Sequence, residues 1–149
     1  MKRIVTIQDI SCFGKCSITV ALPIISAMGV ECAILPTSVL STHTGGFEGF
    51  TFRDLSEDIP KIQEHWKKYN LKFDTIYTGY LGSVEQINSV IKFAEEFRKE
   101  ESLLLVDPAM GDHGRLYTGF ADDFPSHMAK ITRAADLSKS QFSNPSTVA

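Results

Sequence analysis

The sequence predicts an α/β protein with a mostly parallel sheet flanked by helices. Short apolar segments rich in β-branched residues alternate with segments whose apolar residues recur every three or four positions. This alternation is typical of strands connected by amphipathic helices. Several of the predicted strand-to-helix turns contain glycine and a polar side chain. In open α/β sheets such turns lie at the edge where ligands bind.

The composition is ordinary for a globular protein large enough for one core, with 149 residues, 43% hydrophobic and 22% charged. The net charge of −3 and the single Lys pair, Lys67-Lys68, leave no basic patch for nucleic acid. No apolar run is long enough to span a bilayer. Cys12, Cys16 and Cys32 match no zinc module, which favours free thiols in a reducing compartment and predicts the cytoplasm.

The first half of the chain contains two strand patterns, one helix pattern and one long polar loop. Pro23 should bend the helix or mark a late start, and Gly29 is a good stop signal. The predicted elements are a strand over residues 3–10, a turn over 11–15, a helix over 17–28 with Ile18, Ala21, Leu22, Ile25 and Met28 on one side, a strand over 32–35 and a polar loop over 37–50.

The second half contains three helix patterns and two strand patterns. Ser56 is placed to cap the first of these helices, and Ser83 with Gln86 matches a capping box at the start of the second. The predicted inward faces are Ile59, Ile62, Trp66 and Tyr69 in the first helix, Val84, Ile87, Val90, Ile91, Ala94 and Phe97 in the second, and Met128 and Ile131 in a third over Phe124–Ala134. The two strands are expected at Phe73–Thr78 and 103–106, and Pro60 falls in the early turns of the first helix.

The last residues differ from the rest of the chain. Residues 138–149 contain four Ser and few apolar side chains, so we expect an unpacked or disordered tail after a domain over residues 1–137.

Two carboxylates, Asp107 and Asp112, lie five positions apart on a turn that follows the apolar run at 103–106. Because such a turn lies at the ligand-binding edge, these groups suit hydrated Mg²⁺ on nucleotide phosphates. The alternative is an Asx turn, in which Asp107 bonds its own backbone and Pro108 fixes the bend.

Other polar groups follow the remaining strands, so we expect one pocket that suits a small polar aromatic ligand together with a phosphate–metal group. The purely structural alternatives are a turn cap for Ser11, an exposed loop position for His43 and a core aromatic for Tyr80. Cys12 and Cys16 are expected to be buried thiols rather than nucleophiles. The candidate groups are Ser11 and Gly14, His43 and Thr44, Gly79, Tyr80, Gly82 and Ser83, and Asp107 and Asp112.

Four segments occur in a specific order: Gln8-Asp9-Ile10-Ser11 with Gly14, Ser41-Thr42-His43-Thr44-Gly45, Thr78-Gly79-Tyr80-Leu81-Gly82-Ser83, and Val106-Asp107-Pro108-Ala109-Met110-Gly111-Asp112 with Gly114 and Leu116-Tyr117. This set, distributed over residues 3–137, resembles the pyridoxal kinase family of the ribokinase-like superfamily. The related hydroxymethylpyrimidine kinases share the Asp-Pro-x-Met segment.

The resemblance implies a ribokinase-like fold, a homodimer and ATP- and Mg²⁺-dependent phosphorylation of the 5′-hydroxymethyl group of pyridoxal, pyridoxine or pyridoxamine. By position, substrate-binding roles are implied for Ser11, His43, Thr44, Gly45 and Tyr80. Asp107 and Tyr117 are implied near ATP, and Asp107 and Asp112 near the cation.

The chain also departs from the family pattern, because nothing in it matches the later Gly-rich phosphate turn or the catalytic aspartate. We therefore expect the N-terminal half of such a kinase, weakly active or inactive alone, with a sheet edge open to pairing. The alternatives are a hydroxymethylpyrimidine kinase-like enzyme, a non-catalytic interaction module that pairs through its incomplete sheet, and a non-functional remnant.

Overall fold

The sheet and helices position one edge of the molecule for binding. The structure, a computed structural model, describes residues 1–112 and 114–138, without the side chain of Asp112. Its helices are α1 (Ile18–Ala27), α2 (Ile59–Lys68), α3 (Val84–Phe97) and α4 (Phe124–Ala134). Its strands are β1 (Arg3–Ser11), β2 (Glu31–Leu40), β3 (Phe52–Asp54), β4 (Phe73–Thr78), β5 (Arg98–Val106), β6 (Gly111–Asp112), β7 (Arg115–Leu116) and β8 (Leu137–Ser138).

Six of these strands form one sheet in the order β3-β2-β1-β4-β5-β8, and β6 and β7 form a separate hairpin. Every pairing in the six-stranded sheet is parallel except that of β2 with β3. The predicted α/β class with a mostly parallel sheet is confirmed. Since β1, β2, β4 and β5 all run in the same direction, their carboxyl ends meet at one edge.

The main core lies between the sheet and helices α2, α3 and α4, where Val5, Ile7 and Ile76 are fully buried. Helix α1 packs on β1 and β2. Successive strand residues face opposite sides. Ile76 belongs to the core, whereas Tyr77 shares a cavity with residues of α1. Helix α1 therefore covers the second face of the sheet.

Strand β2 is longer than predicted, because Thr37–Leu40, assigned above to a loop, continue it. Pro36 lacks the N–H that a regular ladder needs, and it pairs with Gln8 beside a shift in register between Gln8 and Ile10. The extension also pairs with β3, which the sequence did not reveal. All three β3 residues are exposed, so no alternation marks them as a strand.

Ser56 does not cap α2, contrary to the prediction. Its backbone N–H and hydroxyl both donate to Asp54 Oδ1, at 2.7 and 2.6 Å, and Asp58 occupies the N-cap position. Pro60 lies in the first turn as expected. Tyr69 follows the last helical residue and is 66% exposed, so its predicted inward position is wrong.

Helices α3 and α4 agree closely with their sequence patterns. Ser83 Oγ accepts a hydrogen bond from the backbone N–H of Gln86 at 3.1 Å, which confirms the forward half of the capping box. The Gln86 side chain instead accepts from Gly82 N. Met128 and Ile131 are buried as predicted.

Two apolar segments are less buried than predicted. Strand β5 starts at Arg98, and Leu103 is 46% exposed, because only alternate residues face the core. In α1, which contains Pro23, Ile18 is the buried residue, and Met28 at the C-cap is 74% exposed.

The predicted tail begins inside an element that the structure describes. Ser138 belongs to β8, where it pairs with Val106. Residues 139–149 lie outside the described residues, so the division at residue 137 stays a prediction.

The Asp74 side chain links residues at the amino ends of three neighbouring strands, β1, β4 and β5. Its carboxylate accepts hydrogen bonds from Lys99 Nζ and from the backbone N–H of Arg3, each at 2.8 Å. The bond from Lys99, followed by that from Arg3, lowers the pKa of Asp74 from 3.8 to about 2. A lowered pKa contributes stability that is complete above the unfolded value and is lost as pH falls through the folded value.

We therefore expect stability to decline between pH 4 and 2 more steeply in the wild type than in Asp74→Asn, as measured by urea unfolding. Exposed Asp122 provides the control, since Asp122→Asn should retain the wild-type slope. Equal slopes for the wild type and Asp74→Asn would contradict this assignment.

Candidate functional site

One cavity of about 1160 Å³ lies at the carboxyl ends of the parallel strands. The predicted convergence of separate turns on one pocket is confirmed, because residues that follow β1, β2, β4 and β5 all line it. The predicted site residues in its wall are Ser11, His43, Thr44, Gly45, Tyr80, Asp107 and Tyr117. Asp112 belongs to β6, and its side chain is outside the described part of the structure.

A buried carboxylate organises the end of β1. Asp9 is 5% exposed, and its two oxygens accept hydrogen bonds from Ser11 Oγ at 3.0 Å and from Ser17 Oγ at 2.5 Å. Ser17 reaches it from the start of α1 with a φ of 50°, in the left-handed region. The Ser11 hydroxyl, expected to contact a ligand directly, therefore uses its proton on Asp9 and retains its lone pairs as acceptors.

The loop after β2 brings His43 against the turn after β1. The backbone N–H of His43 donates to Phe13 O at 3.2 Å, and that of Gly45 donates to His43 Nδ1 at 3.2 Å. Because Nδ1 accepts, the neutral ring carries its proton on Nε2, which is then a donor. Phe47 packs edge-on against this ring, with centroids 5.0 Å apart.

Gly14 makes this arrangement possible. A Cβ at this position would lie 2.1 Å from His43 Cδ2, and the φ of 109° is unfavourable for other residues. We expect Gly14→Ala to displace His43 and to destabilise the fold by about 1–3 kcal/mol, as measured by urea unfolding. Gly29→Ala, also at positive φ but with no atom within 4 Å, is the control for backbone strain alone. An equal loss in both variants would show that the contact with His43 is unimportant.

Tyr80 forms an aromatic wall of the cavity. Its ring stacks on Phe120, with centroids 5.7 Å apart, and lies 6.4 Å from Tyr117. Burial, followed by the negative charges of Asp9 and Asp54, raises the pKa of the Tyr80 hydroxyl. The phenol therefore remains protonated at neutral pH and can donate a hydrogen bond.

The buried Gln86 side chain fixes the turn that carries Tyr80. Its Nε2 donates to Thr37 O at 2.9 Å and to Asp54 Oδ1 at 3.1 Å, while its Oε1 accepts from Gly82 N at 2.8 Å. Thr37 Oγ1 also donates to Tyr80 O at 3.2 Å. For Asp54, burial acts to raise the pKa, but hydrogen bonds from Ser56 and Gln86 outweigh it and lower the pKa.

Asp107 adds a carboxylate to the cavity wall directly after the end of β5. It is 8% exposed, and its backbone N–H donates to Thr78 O at 3.0 Å. Burial, followed by the charge of Asp107, raises the pKa of the neighbouring Tyr77. Tyr117 approaches through the hairpin, since its N–H donates to Met110 O at 3.0 Å.

The residues present fit a hydrated magnesium ion rather than a closed metal cage. Within residues 1–112 and 114–138, no group of three His, Cys, Asp or Glu side chains could hold a metal. Mg²⁺ usually keeps several waters and takes one or two carboxylates plus substrate phosphates. Asp107, buried in the cavity wall, is compatible with that mode.

The three cysteines are free thiols, as predicted, but they are not all buried. Cys12 is exposed, while Cys16 is partly buried and lines the cavity. Among the described residues, no helix is long and apolar enough to cross a membrane.

Comparison with known proteins identifies relatives of this chain. No family model matches it. The pyridoxal kinase PdxY of Photobacterium profundum is 30% identical over 116 residues, which cover 74% of this chain and 40% of that protein. The structure of pyridoxal kinase from Lactobacillus plantarum superposes with a TM-score of 0.81 at 38% identity, over 88% of this chain and 46% of the other. Over most of its length, the chain is similar to pyridoxal kinases in sequence and in structure.

A third similar protein connects pyridoxal kinases with the kinases of pyrimidine substrates. A Bacteroides thetaiotaomicron protein, provisionally named a phosphomethylpyrimidine kinase, has a TM-score of 0.88 and 46% identity over 92% of this chain and 48% of that chain. Its crystal form contains pyridoxal. The chain spans about half or less of the pyridoxal kinase relatives it matches. The predicted ribokinase-like fold is confirmed by these neighbours.

The pyridoxal kinase motifs did not reveal every residue of the cavity wall. Asp9 belongs to the first segment that resembles pyridoxal kinases, but its hydrogen bonding depends on Ser17, eight positions later. Tyr77 lies at the end of β4 and Arg115 lies in β7, and both line the cavity although neither was a predicted site residue. The sequence does contain one sign of a role for Asp9: it is a polar residue on a buried strand, two positions before Ser11.

Proposed function

We propose that this chain forms the vitamer-binding part of a kinase that transfers phosphate from ATP to the 5′-hydroxymethyl group of pyridoxal, pyridoxine or pyridoxamine. The convergence of four separate turns on one cavity carries this proposal. The names of the relatives and the pyridoxal in the Bacteroides crystal form support it.

The ring of the vitamer would lie between the α1 side of the cavity and Tyr80. The ring of Tyr80, which lines the cavity and is supported by Phe120, offers an aromatic surface to a planar ligand. His43 Nε2 supplies a donor, and Ser11, Thr44 and Gly45 supply further polar groups from the neighbouring turns. These five residues, Ser11, His43, Thr44, Gly45 and Tyr80, are the proposed substrate-binding set.

The phosphate side of the site would lie at the end of β5. Asp107 and Tyr117 line the cavity there, and Asp112 follows on β6. The buried Asp107 carboxylate suits a hydrated Mg²⁺ that is also bound to the phosphates of ATP. We therefore propose Asp107 and Tyr117 near the nucleotide, and Asp107 and Asp112 near the cation.

A second candidate function is assembly with another chain. Several large apolar side chains in α1, at its C-cap and in β5 and β8 are exposed, which is a feature of protein interaction surfaces: Ile24, Met28, Leu103 and Leu137. This observation favours a homodimer or pairing through the sheet, and size-exclusion chromatography with light scattering distinguishes either from a monomer.

The free thiols support a cytoplasmic location.

The isolated chain is expected to bind vitamers better than it phosphorylates them. Phosphoryl transfer depends on positioning and on stabilisation of charge, and these 149 residues contain no match to the family's Gly-rich phosphate turn or catalytic aspartate. A coupled assay with ATP, Mg²⁺ and pyridoxal should therefore detect little or no product. Turnover at an ordinary kinase rate would refute this expectation.

Calorimetric titration with pyridoxal tests the proposed site directly. We expect saturable binding to the wild-type chain, and a loss of about tenfold or more in Tyr80→Ala, because the aromatic surface is removed. Tyr69→Ala, which removes an exposed tyrosine outside the cavity, is the control. Absence of heat at millimolar pyridoxal, or preferential binding of a hydroxymethylpyrimidine, would overturn the assignment.

A further inference from the structure

Helix α1 covers the second face of the sheet only over part of its width. It contacts β1 and β2, whereas α3 and α4 contact β5 from the core side. Paired residues of neighbouring strands share a face, and Tyr77 shares a cavity with α1, so the residues in register with it lie on the α1 side. We call this set on β4, β5 and β8 the open strip: Thr75, Tyr77, Leu103, Leu105 and Leu137.

The open strip exposes apolar side chains to solvent. Leu103 is 46% exposed and Leu137 is 57% exposed, while the other three residues are partly buried. None of the five residues is a charged type. Contiguous apolar surface of this kind marks a site of interaction with another molecule.

Helix α1 has a second apolar side that its own sheet does not cover. All its residues except Thr19 and Ser26 are apolar, and a helix that is apolar on all sides is normally buried on all sides. Here Ile24 is 55% exposed, and Met28 at the C-cap is 74% exposed. Burial of α1 therefore requires a second surface, and burial of the open strip requires a helix.

A second copy of the chain meets both requirements at once. Because the open strip lies beside α1 on the same face, a two-fold axis between β1 and β4 puts α1 of each copy on the open strip of the other. The strip is three strands wide, about 10 Å from β4 to β8, which matches the diameter of a helix, about 10–12 Å. The two helices then form one layer between two sheets.

The area available also suits a dimer. Four side chains expose on the order of 100 Å² each, so two copies could bury about 1,000 Å² in total through them and their partly exposed neighbours: Ile24, Met28, Leu103 and Leu137. This area is near the lower limit for a specific interface, so the dimer should dissociate on dilution.

We propose that α1 and the open strip form a two-fold interface between two copies of this chain, in which each α1 docks on β4, β5 and β8 of the other copy. This inference rests on the second candidate function, assembly with another chain, and names the surface. It does not depend on which ligand the cavity binds.

Light scattering during size-exclusion chromatography of the full 149-residue chain tests this interface. The wild type should be dimeric at about 100 μM and dissociate on dilution. Leu103→Glu and Ile24→Glu, which place a charge in the strip and in α1, should each raise the dissociation constant about tenfold or more. Tyr69→Glu, at an exposed position at the C-cap of α2, is the control and should leave the dimer intact.

A mixture of opposite charges distinguishes this arrangement from other dimers. Ile24→Lys and Leu103→Glu should each be monomeric alone, because their homodimers bury unpaired charges. At the same concentration, their mixture should form a heterodimer, which native mass spectrometry detects, because the two charges are then opposite.

Each contrary outcome overturns the proposal in a different way. A monomeric wild type at about 100 μM overturns it and leaves the open strip to a different polypeptide. A dimer that persists in Leu103→Glu or in Ile24→Glu overturns it in favour of an interface elsewhere, while assembly itself stands. A mixture that stays monomeric overturns the placement of α1 on the strip. Circular dichroism verifies folding, and Leu137→Glu replaces a variant that does not fold.

Discussion

Replacement of Phe93 by alanine is expected to lower the free energy of unfolding by about 3–5 kcal/mol. Phe93 is fully buried in α3, with its ring stacked on Phe97 at 4.4 Å and on Phe73 at 5.9 Å, and Trp66 lies against the same group at 6.1 Å. Truncation removes contacts to all three rings and leaves a cavity that the rigid sheet cannot fill by relaxation. Since a domain is stable by only about 5–15 kcal/mol, the variant should be partly unfolded near body temperature.

Urea denaturation followed by tryptophan fluorescence measures this loss, because Trp66 reports on the cluster. Phe52→Ala is the matched control, since Phe52 is 48% exposed in the edge strand β3 and its removal should cost less than about 1 kcal/mol. Similar losses in the two variants would show that the aromatic cluster is not the main source of stability in this half of the core.

Replacement of Gln86 by leucine is expected to have two effects. Its side chain links the end of β2, strand β3 and the turn after β4, and it is 1% exposed. Leucine has a similar size but leaves Gly82 N and Thr37 O without this partner, and each such buried group costs about 1–3 kcal/mol. The free energy of unfolding should fall by about 2–4 kcal/mol, and pyridoxal should bind more weakly because the Tyr80 turn is no longer fixed.

A second buried glutamine provides the comparison for Gln86. Gln63 in α2 makes one long hydrogen bond, from its Nε2 to Ser89 O at 3.3 Å, and lies away from the cavity. Gln63→Leu should cost about 1 kcal/mol and leave pyridoxal affinity unchanged. If Gln86→Leu lowers stability without a change in affinity, the network supports the fold but does not position the ligand.

The elements with a complete local signal could be predicted from the sequence almost to the residue. Strand β4 and helix α4 have the predicted bounds, since each has clear periodicity and clear flanking breaks. Strand β2 could not be traced past Pro36, because its continuation depends on a change of register against β1. Strand β3 exists through its pairing with β2, which no local pattern encodes.

The residues of the candidate site also divide into those with a local sequence signal and those that depend on tertiary structure. Tyr80 and Asp107 were found because each follows a recognisable strand and lies on a turn. Asp9 was overlooked because its environment depends on Ser17, which reaches it through a left-handed backbone conformation at the start of α1. Short-range patterns identify the turns, whereas the charges that face each other across them depend on tertiary structure.

The first strand of the chain occupies the middle of the sheet, and this has a consequence during synthesis. Strand β1 pairs on one side with β2 and on the other with β4, whose residues are made more than sixty positions later. At about 5–20 residues per second, the ribosome needs several seconds to produce them. Throughout that interval, an apolar strand emerges with one hydrogen-bonding edge unsatisfied, which makes the nascent polypeptide a natural client for chaperones that shield such edges.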